Sequence, residues 1–363
     1  MRDLTARRLP PILTLRHLAH ETDATYACLR LVVSRSGIAS RYRSFRIVKR
    51  SGGIRRIFVP NMELQSVLRW IHDEILSRVE PHHRAFAFRP DRPVVDCAAE
   101  HCGARWLVKF DAENFFESID EGQVFRFFRE CGYPTLLCFE LARLTTVPVA
   151  FLLASRRVSH AQEPPVAVPL DSTDLSRDAP YVIDAYDFAE RGVLGQGLAT
   201  SPALSNLVCR GLDASLQDVA DELGFVFTRY ADDLTFSTHR GRLKSAEIRV
   251  LRARVVAILR RHGLKENRKK FSIAGPGARR LVLGLLIDSD RPRLSRATRA
   301  RLEGHLHFLL NKGVIAHAQH REFRSTDALR LHLNGLLAYV KQVDDGLYLK
   351  YADKAKAVDW PPE

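Results

Sequence analysis

The sequence predicts an α+β protein whose centre mixes strands and helices and whose flanks are mainly helical. Three observations carry this. Apolar residues recur at helical spacing toward both ends, short apolar strands alternate with helices between about 105 and 290, and a Gly-Gly hairpin signal lies near the start. On that pattern the 363 residues divide into regions 1–104, 105–290 and 291–363.

In the first region, Phe45 and Ile47 precede Gly52-Gly53, and Ile57 and Val59 follow it. Residues 45–60 therefore read as a β-hairpin ended by Pro60. Leu64, Leu68, Ile71 and Ile75 come next at helical spacing and predict a helix. In the middle region, Trp106 to Phe110 is a short apolar strand that ends at Asp111. Residues 155–190 are rich in Pro, Asp and Ser and read as a long loop or insertion. Residues 201–220 read as one helix, with Thr200 or Ser201 as N-cap and Pro202 at the first helical position. Residues 225–227 and 234–236 read as two strands joined by Tyr230-Ala231-Asp232-Asp233. Residues 245–262 form a basic amphipathic helix closed by Gly263, and residues 281–287 a further apolar strand. Beyond Arg296 the pattern is helical. Leu302, Leu306, Leu309 and Leu310 share a face, and a second helix runs from about 326 to 341.

Fifty-six Lys and Arg face 42 Asp and Glu, a net charge of +14 with a pI near 9.8. Such an excess favours a polyanionic partner, because each neutralised phosphate releases condensed counterions. A solubilising surface or attraction to an anionic membrane would carry the same charge. The excess is concentrated: thirteen Lys or Arg lie between Gly241 and Arg280, and nine more between Arg291 and Arg330 against three acids. No run approaches the ~20 apolar residues that span a bilayer, and the N-terminus lacks an export signal, so a cytoplasmic protein without membrane partners is expected. The six cysteines show no zinc-ligand spacing and read as reduced thiols.

The chemistry points to acids in apolar settings. Asp111 ends an apolar strand, and Asp232-Asp233 sit at the tip of an apolar hairpin. Placing adjacent carboxylates there is expensive unless they are paired or bind metal. Two Mg²⁺ ions, or Mn²⁺ in their place, would relieve the repulsion. They would also activate a 3′-hydroxyl and steady a departing pyrophosphate. An Asp-rich polar turn is the alternative for the hairpin tip alone.

Five segments in order resemble reverse transcriptases. Phe110-Asp111-Ala112-Glu113-Asn114-Phe115-Phe116 resembles their first catalytic motif, and Tyr230-Ala231-Asp232-Asp233 their YADD box. Gly195-Gln196-Gly197-Leu198-Ala199-Thr200-Ser201-Pro202 resembles the QGxPTSP box, with Ala199 where Pro is usual. Residues 49–60 resemble the motif KxxGxxRxIxxP, and Asn267-Arg268-Lys269-Lys270 the fourth palm motif. The resemblance implies a right-hand polymerase. Its fingers would be residues 1–104, an RRM-like palm 105–290 with an insertion at about 155–190, and a helical thumb 291–363.

It also implies roles. Asp111 and Asp232 would ligate both metals, with Asp233 in support. Phe116 matches the aromatic gate against a ribose 2′-hydroxyl, or is a core residue. Gln196 and Gly197 would line the dNTP pocket. Lys49 and Arg56 would clamp the triphosphate, or form a solvated hairpin rim. Lys270 would protonate pyrophosphate, with Lys269 as its competitor. In the thumb, Arg293, Arg296, Arg299 and Arg301 would grip nucleic acid through phosphates.

Two further segments resemble the retron enzymes of this family. Cys97-Ala98-Ala99-Glu100-His101 is similar to their NAxxH element, with Cys for Asn, and Val282-Leu283-Gly284 to their VTG, with Leu for Thr. His101 is either a specific contact or a satisfied helix histidine. A retron resemblance implies a structured noncoding RNA as template and primer, a single-stranded DNA product, an effector protein and anti-phage defence. The alternatives are a defence reverse transcriptase without a retron RNA, a catalytically dead RNA-binding relative, and a metal-dependent nuclease.

Overall fold

The computed structural model describes residues 4, 7–35, 41–48, 54–157 and 191–361. Lys49, Gly52-Gly53 and residues 158–190 of the expected insertion lie outside the described residues. In chain order, α1 (Leu15–Glu21) and α2 (Tyr26–Val33) precede the hairpin β1 (Tyr42–Val48) and β2 (Ile54–Pro60). Then come α3 (Met62–Trp70), α4 (Val94–Ala99), β3 (Trp106–Asp111), α5 (Glu121–Cys131) and α6 (Thr135–Leu144). The middle continues with β4 (Val147–Pro148), α7 (Val149–Arg157), β5 (Gly192–Val193), α8 (Ser201–Val208) and α9 (Arg210–Leu223). After these follow β6 (Val226–Tyr230), β7 (Asp233–Thr238), α10 (Ser245–Arg261), β8 (Ser272–Ala274), β9 (Leu281–Val282), β10 (Leu285–Leu286) and β11 (Arg293–Leu294). The chain closes with α11 (Arg296–Lys312), α12 (Val314–His320), α13 (Thr326–Val343) and α14 (Asp345–Lys356).

The chain forms two compact units, each built from three segments. One holds Met1–Phe88, Ala112–Leu216 and Arg254–Asn267; the other holds Arg89–Asp111, Gln217–Ala253 and Arg268–Glu363.

In the first unit, α3 continues through a π-turn at Ile71–Ile75 and a 3-10 turn at Leu76–Arg78. Leu64, Leu68, Ile71 and Ile75 are all fully buried, as their spacing predicts. The hairpin begins three residues before the predicted start. Tyr42, Arg56, Phe58 and Pro60 are buried, while Phe45 and Ile47 are about half exposed. Phe151 packs on the buried face, 5.9 Å from the Phe58 ring and 6.3 Å from Tyr42, which makes it the inner one, while Phe58 N–H donates from the strand edge to the Gln196 carbonyl at 2.7 Å. Deeper in the unit, Glu121 bridges Arg35 (2.7 Å) and Arg143 (3.2 Å), all three side chains being at most 3% exposed. Further bonds hold the triad: Arg35 donates to the Thr146 hydroxyl and carbonyl, and Gly192 N–H donates to Glu121, while the buried Arg35 Nε has no partner among the described residues. β4 and β5 pair Val147 with Val193, so the segment that carries the expected insertion leaves and re-enters at adjacent strands. Residues 155–157 of that segment are helical, as the end of α7.

The second unit is built on an antiparallel sheet ordered β6-β7-β3-β8. Alternation assigns its two faces. Val108, Phe110, Phe227 and Phe236 fall on one, where Phe236 meets Phe227 at 4.9 Å and Phe110 at 5.6 Å. The other face is polar, in rows read directly from the register: Asp111, Asp233 and Tyr230; then Lys109, Thr235 and Thr228; then Leu107, Ser237 and Val226.

Three further sequence expectations are corrected. The single helix at 201–220 is two, because Cys209 has ψ of 7° and interrupts the ladder between α8 and α9. The strand at 281–287 is a hairpin, β9 and β10. Leu283 (φ 49°) and Gly284 (φ 86°) form its turn, the two positive φ values that a tight hairpin requires. In α11, Leu302, Leu306 and Leu309 are buried, but Leu310 is 44% exposed, because it lies off the inward stripe. The cap at Gly263 is as expected, with Leu264 N–H reaching back to the Leu259 carbonyl at 2.8 Å.

Candidate active site

The three predicted aspartates converge in the second unit, at one end of the polar sheet face. Asp111 ends β3 and Asp233 opens β7, and the two are direct cross-strand partners. Tyr230 pairs with Asp233 across the hairpin, so Ala231 and Asp232 alone form the tip. Ala231 takes φ of 54°, a left-handed conformation rare for residues with a Cβ, and is buried. The tight tip sets Asp232 beside the Asp111–Asp233 pair. Asp111 is nearly buried, with a side chain 4% exposed, whereas that of Asp232 is 44% exposed.

Lys270 stands among these acids. Its ammonium pairs with Asp111 and lies 4.0 Å from Asp232. Burial works against its charge, but the Asp111 hydrogen bond and the field of all three carboxylates outweigh it and hold its pKa above the ordinary lysine value. Burial, then the charges of Asp233 and Asp111, push Asp232 up to about 6. Asp233 is also raised, by burial first and then by Asp111, with Lys109 and Lys270 opposing. Mutual repulsion among partly desolvated carboxylates is the signature of a site that favours added positive charge. The donor set is all oxygen, which suits a hard divalent cation. Among the described residues no three His, Cys, Asp or Glu side chains are placed to hold a metal ion together, and Lys270 supplies the countercharge in this arrangement.

Two residues here escaped the sequence reading. Lys109 lies one row from Asp111 on the same face and lowers Asp233 through its charge. Arg229, fully buried on the aromatic face, reaches the Ala231 carbonyl at 3.4 Å. Both signals were present as strand alternation around the acids, but only the register shows which face each residue joins.

The other predicted residues divide between the units. Phe116, Gln196, Gly197 and Arg56 belong to the first. Phe115 is buried, whereas Phe116 is only half buried and its ring meets Phe88 at 5.9 Å, so of the two rings Phe116 is the accessible one. Gly197 has φ of 102°, and a Cβ there would lie 2.5 Å from the Phe58 carbonyl oxygen. Its close approach is thus to β2. Arg56 is 9% exposed and donates to the Leu152 carbonyl at 2.8 Å. Ser201 donates to the Gly195 carbonyl at 2.7 Å and tightens the same loop, while the Thr200 hydroxyl is buried with no partner.

In the second unit, Arg296, Arg299 and Arg301 are exposed on α11. A helical step of about 100° per residue puts Arg296 and Arg299 on neighbouring positions and Arg301 on another face. Arg293 pairs with Asp288 at 2.9 Å. Arg291, Arg293 and Arg299 line a cleft of about 120 Å³ with Leu294, Val343, Asp344 and Leu347.

A carboxylate pair on adjacent strands, a third acid at the hairpin tip and a lysine among them form one charged cluster at the end of the sheet. Residues 47–287 match the reverse transcriptase (RNA-dependent DNA polymerase) family, and the chain belongs to it. Within that family it is of the retron type, as its relatives indicate. It is 25% identical to the retron Ec86 reverse transcriptase of Escherichia coli, over 93% of this chain and 86% of that one. It is 32% identical to the retron Mx65 reverse transcriptase of Myxococcus xanthus, over 84% of this chain and 61% of that one. The retron Mx162 enzyme of the same organism is 29% identical over 74% of this chain and 53% of its own length. The chain thus spans only part of the Mx65 and Mx162 enzymes.

Proposed function

We propose that this reverse transcriptase copies part of a structured noncoding RNA into single-stranded DNA, with that RNA serving as both template and primer. The observation that carries the reading is the register of Asp111 against Asp233, with Asp232 at the adjoining tip and Lys270 among them. Asp111, Asp232 and Asp233 would hold two Mg²⁺ ions, which when bound activate the primer hydroxyl and stabilise the departing pyrophosphate. Lys270 is positioned to hold a proton and release it toward the leaving group. Phe116 screens the sugar of the incoming dNTP, Gln196 and Gly197 shape its pocket, and Lys49 and Arg56 bind or buttress its phosphates. Arg293, Arg296, Arg299 and Arg301 hold the template–product duplex or an RNA stem by its backbone.

In this reading residues 1–104 act as fingers, 105–290 as palm and 291–363 as thumb. The enzyme works in the cytoplasm, where its RNA is made, and serves anti-phage defence with an effector protein.

The test is expression together with the upstream flanking DNA, followed by a search for short, RNase-resistant single-stranded DNA. A discrete species that keeps a 2′-linked RNA remnant, and is absent from an Asp232→Ala, Asp233→Ala double variant, is the expected result. If none forms, but purified protein extends a primed RNA with Mg²⁺ and dNTPs, the polymerase stands and the self-primed RNA does not.

A further inference from the structure

His101 is fully buried in the second unit, two residues beyond the end of α4. Its Nδ1 lies 2.7 Å from the Ser237 hydroxyl on β7, and its Nε2 lies 2.7 Å from the Thr228 hydroxyl on β6. One imidazole therefore ties the two strands whose shared tip carries Asp232 and Asp233. A neutral ring donates from one nitrogen and accepts at the other, and both hydroxyls can rotate to suit either tautomer. Cys97, one helical turn earlier, supports the same grip with its thiol 3.5 Å from the Thr228 hydroxyl.

The register shows what this grip governs. Thr228 and Ser237 lie on the polar sheet face, in the second and third rows from its acidic end. Further along the strands on that face stand Tyr230 and Asp233, in the row that Asp111 completes. The strands already pair through their backbones, so His101 is not needed to form the sheet. Its two bonds are diagonal across the hairpin, between rows, and they resist sliding or twisting of β6 against β7. Such a movement would carry the tip, and with it the spacing of Asp232 and Asp233 from Asp111. At 2.7 Å both bonds are short, and inside the protein neither hydroxyl has water as a substitute.

We infer that His101 is a positioning residue for the catalytic carboxylates, fixing the β6–β7 hairpin so that its two aspartates meet Asp111 at the spacing a divalent cation requires. The inference rests on the reading of Asp111, Asp232 and Asp233 as metal ligands. It predicts a pattern that packing alone would not give. Leu in place of His101 keeps volume and apolarity but removes both bonds. Gln can present an acceptor and a donor at nearly the positions of the two ring nitrogens.

The experiment is a Mn²⁺ titration followed by electron paramagnetic resonance on the full chain, without nucleotide, for wild type, His101→Leu, His101→Gln and the Asp232→Ala, Asp233→Ala double variant. His101→Leu is expected to weaken Mn²⁺ binding by about fivefold, below the ~10–100-fold typical of a direct partner of a ligand, and His101→Gln to restore most of it. In primer extension, His101→Leu should lower kcat while KM for dNTP stays within about twofold. Equal Mn²⁺ affinity in wild type and His101→Leu overturns the proposal, as does a His101→Gln variant no better than His101→Leu. If instead the double aspartate variant binds Mn²⁺ as wild type does, the metal-ligand reading itself fails. Should His101→Leu not fold, Ser237→Ala and Thr228→Val each remove one bond while leaving the ring in place. Both are then expected to weaken Mn²⁺ binding, and no change in either overturns the proposal.

Discussion

At the scale of single residues, the site is a charge balance that any substitution disturbs in a readable direction. Replacing Lys270 by Met leaves Asp111 without its ammonium partner and, in the proposed mechanism, removes a proton donor. The expected loss is about 100-fold in kcat, the lower end for a general acid, measured by single-turnover primer extension. Phe116→Ala should relax sugar selection, raising kcat/KM for ribonucleotides by about 10–200-fold, the worth of one well-placed apolar contact. Parallel assays with dNTP and rNTP check this. The order of the motifs along the chain is what pointed to these two positions. Lys109 and the partners of His101 were not legible, since alternation says only that a residue faces one side. Which side, and opposite what, depends on a pairing between strands more than a hundred residues apart.

At the scale of elements, buried polar groups decide how the helices hold. Glu121 of α5 lies between the guanidinium groups of Arg35 and Arg143, out of solvent. Glu121→Leu would strand two buried cations, at a cost of about 3–5 kcal/mol, seen as a lower urea midpoint. In the second unit, His305 of α11 and His317 of α12 share a hydrogen bond of 2.9 Å. Burial, then the neighbouring His317, His332, Arg321 and Arg301, push His305 down to about 4. Its folded pKa is thus below the unfolded value, so the stabilisation is complete above pH ~6.5 and is lost as pH falls toward 4. Near pH 5 that loss is on the order of 2 kcal/mol. Thermal melts at about pH 5 and 7.5 should show it, and His305→Phe should shrink the difference. Helical spacing made α11 readable, but α5 and α12 were not singled out, and the triad and the histidine pair join residues from separate elements. The break at Cys209 was equally hidden: Gly211 lies two residues on, but the apolar spacing of Leu204, Leu207, Leu212 and Leu216 runs through it. The turn at Leu283-Gly284 did carry a glycine, but the apolar run around it read as one strand.

At the scale of the whole molecule, the sequence made its chemistry plainer than its division. Composition favoured a polyanionic partner without excluding a solubilising surface, and ordered motifs pointed to a polymerase. Yet each compact unit is assembled from three separate segments, an arrangement that linear composition does not encode. The basic surface makes one further prediction. Changing Arg296, Arg299 and Arg301 together to Glu should weaken RNA binding and reduce the slope of log affinity against log salt. The reduction is about one for each phosphate that is no longer neutralised, and fluorescence anisotropy across a salt series would measure it. An unchanged slope would place the grip on other residues.

The outward face of the β1–β2 hairpin has a consequence for how copies of the chain behave toward one another. Phe45 and Ile47 are each about half exposed on that face of a two-stranded sheet, with Arg43 and Arg55 beside them, while Val48 and Ile54 are exposed as the last pair of the ladder. At low ionic strength the arginines and the net charge of +14 keep such faces apart. Salt shortens the reach of that repulsion from about 10 Å at 0.1 M to about 3 Å at 1 M, while leaving the apolar attraction intact. Colloidal stability should therefore fall as salt rises, opposite to the usual rescue of a basic protein from nucleic-acid contaminants. Light scattering would register this as growth in particle size that Ile47→Lys abolishes.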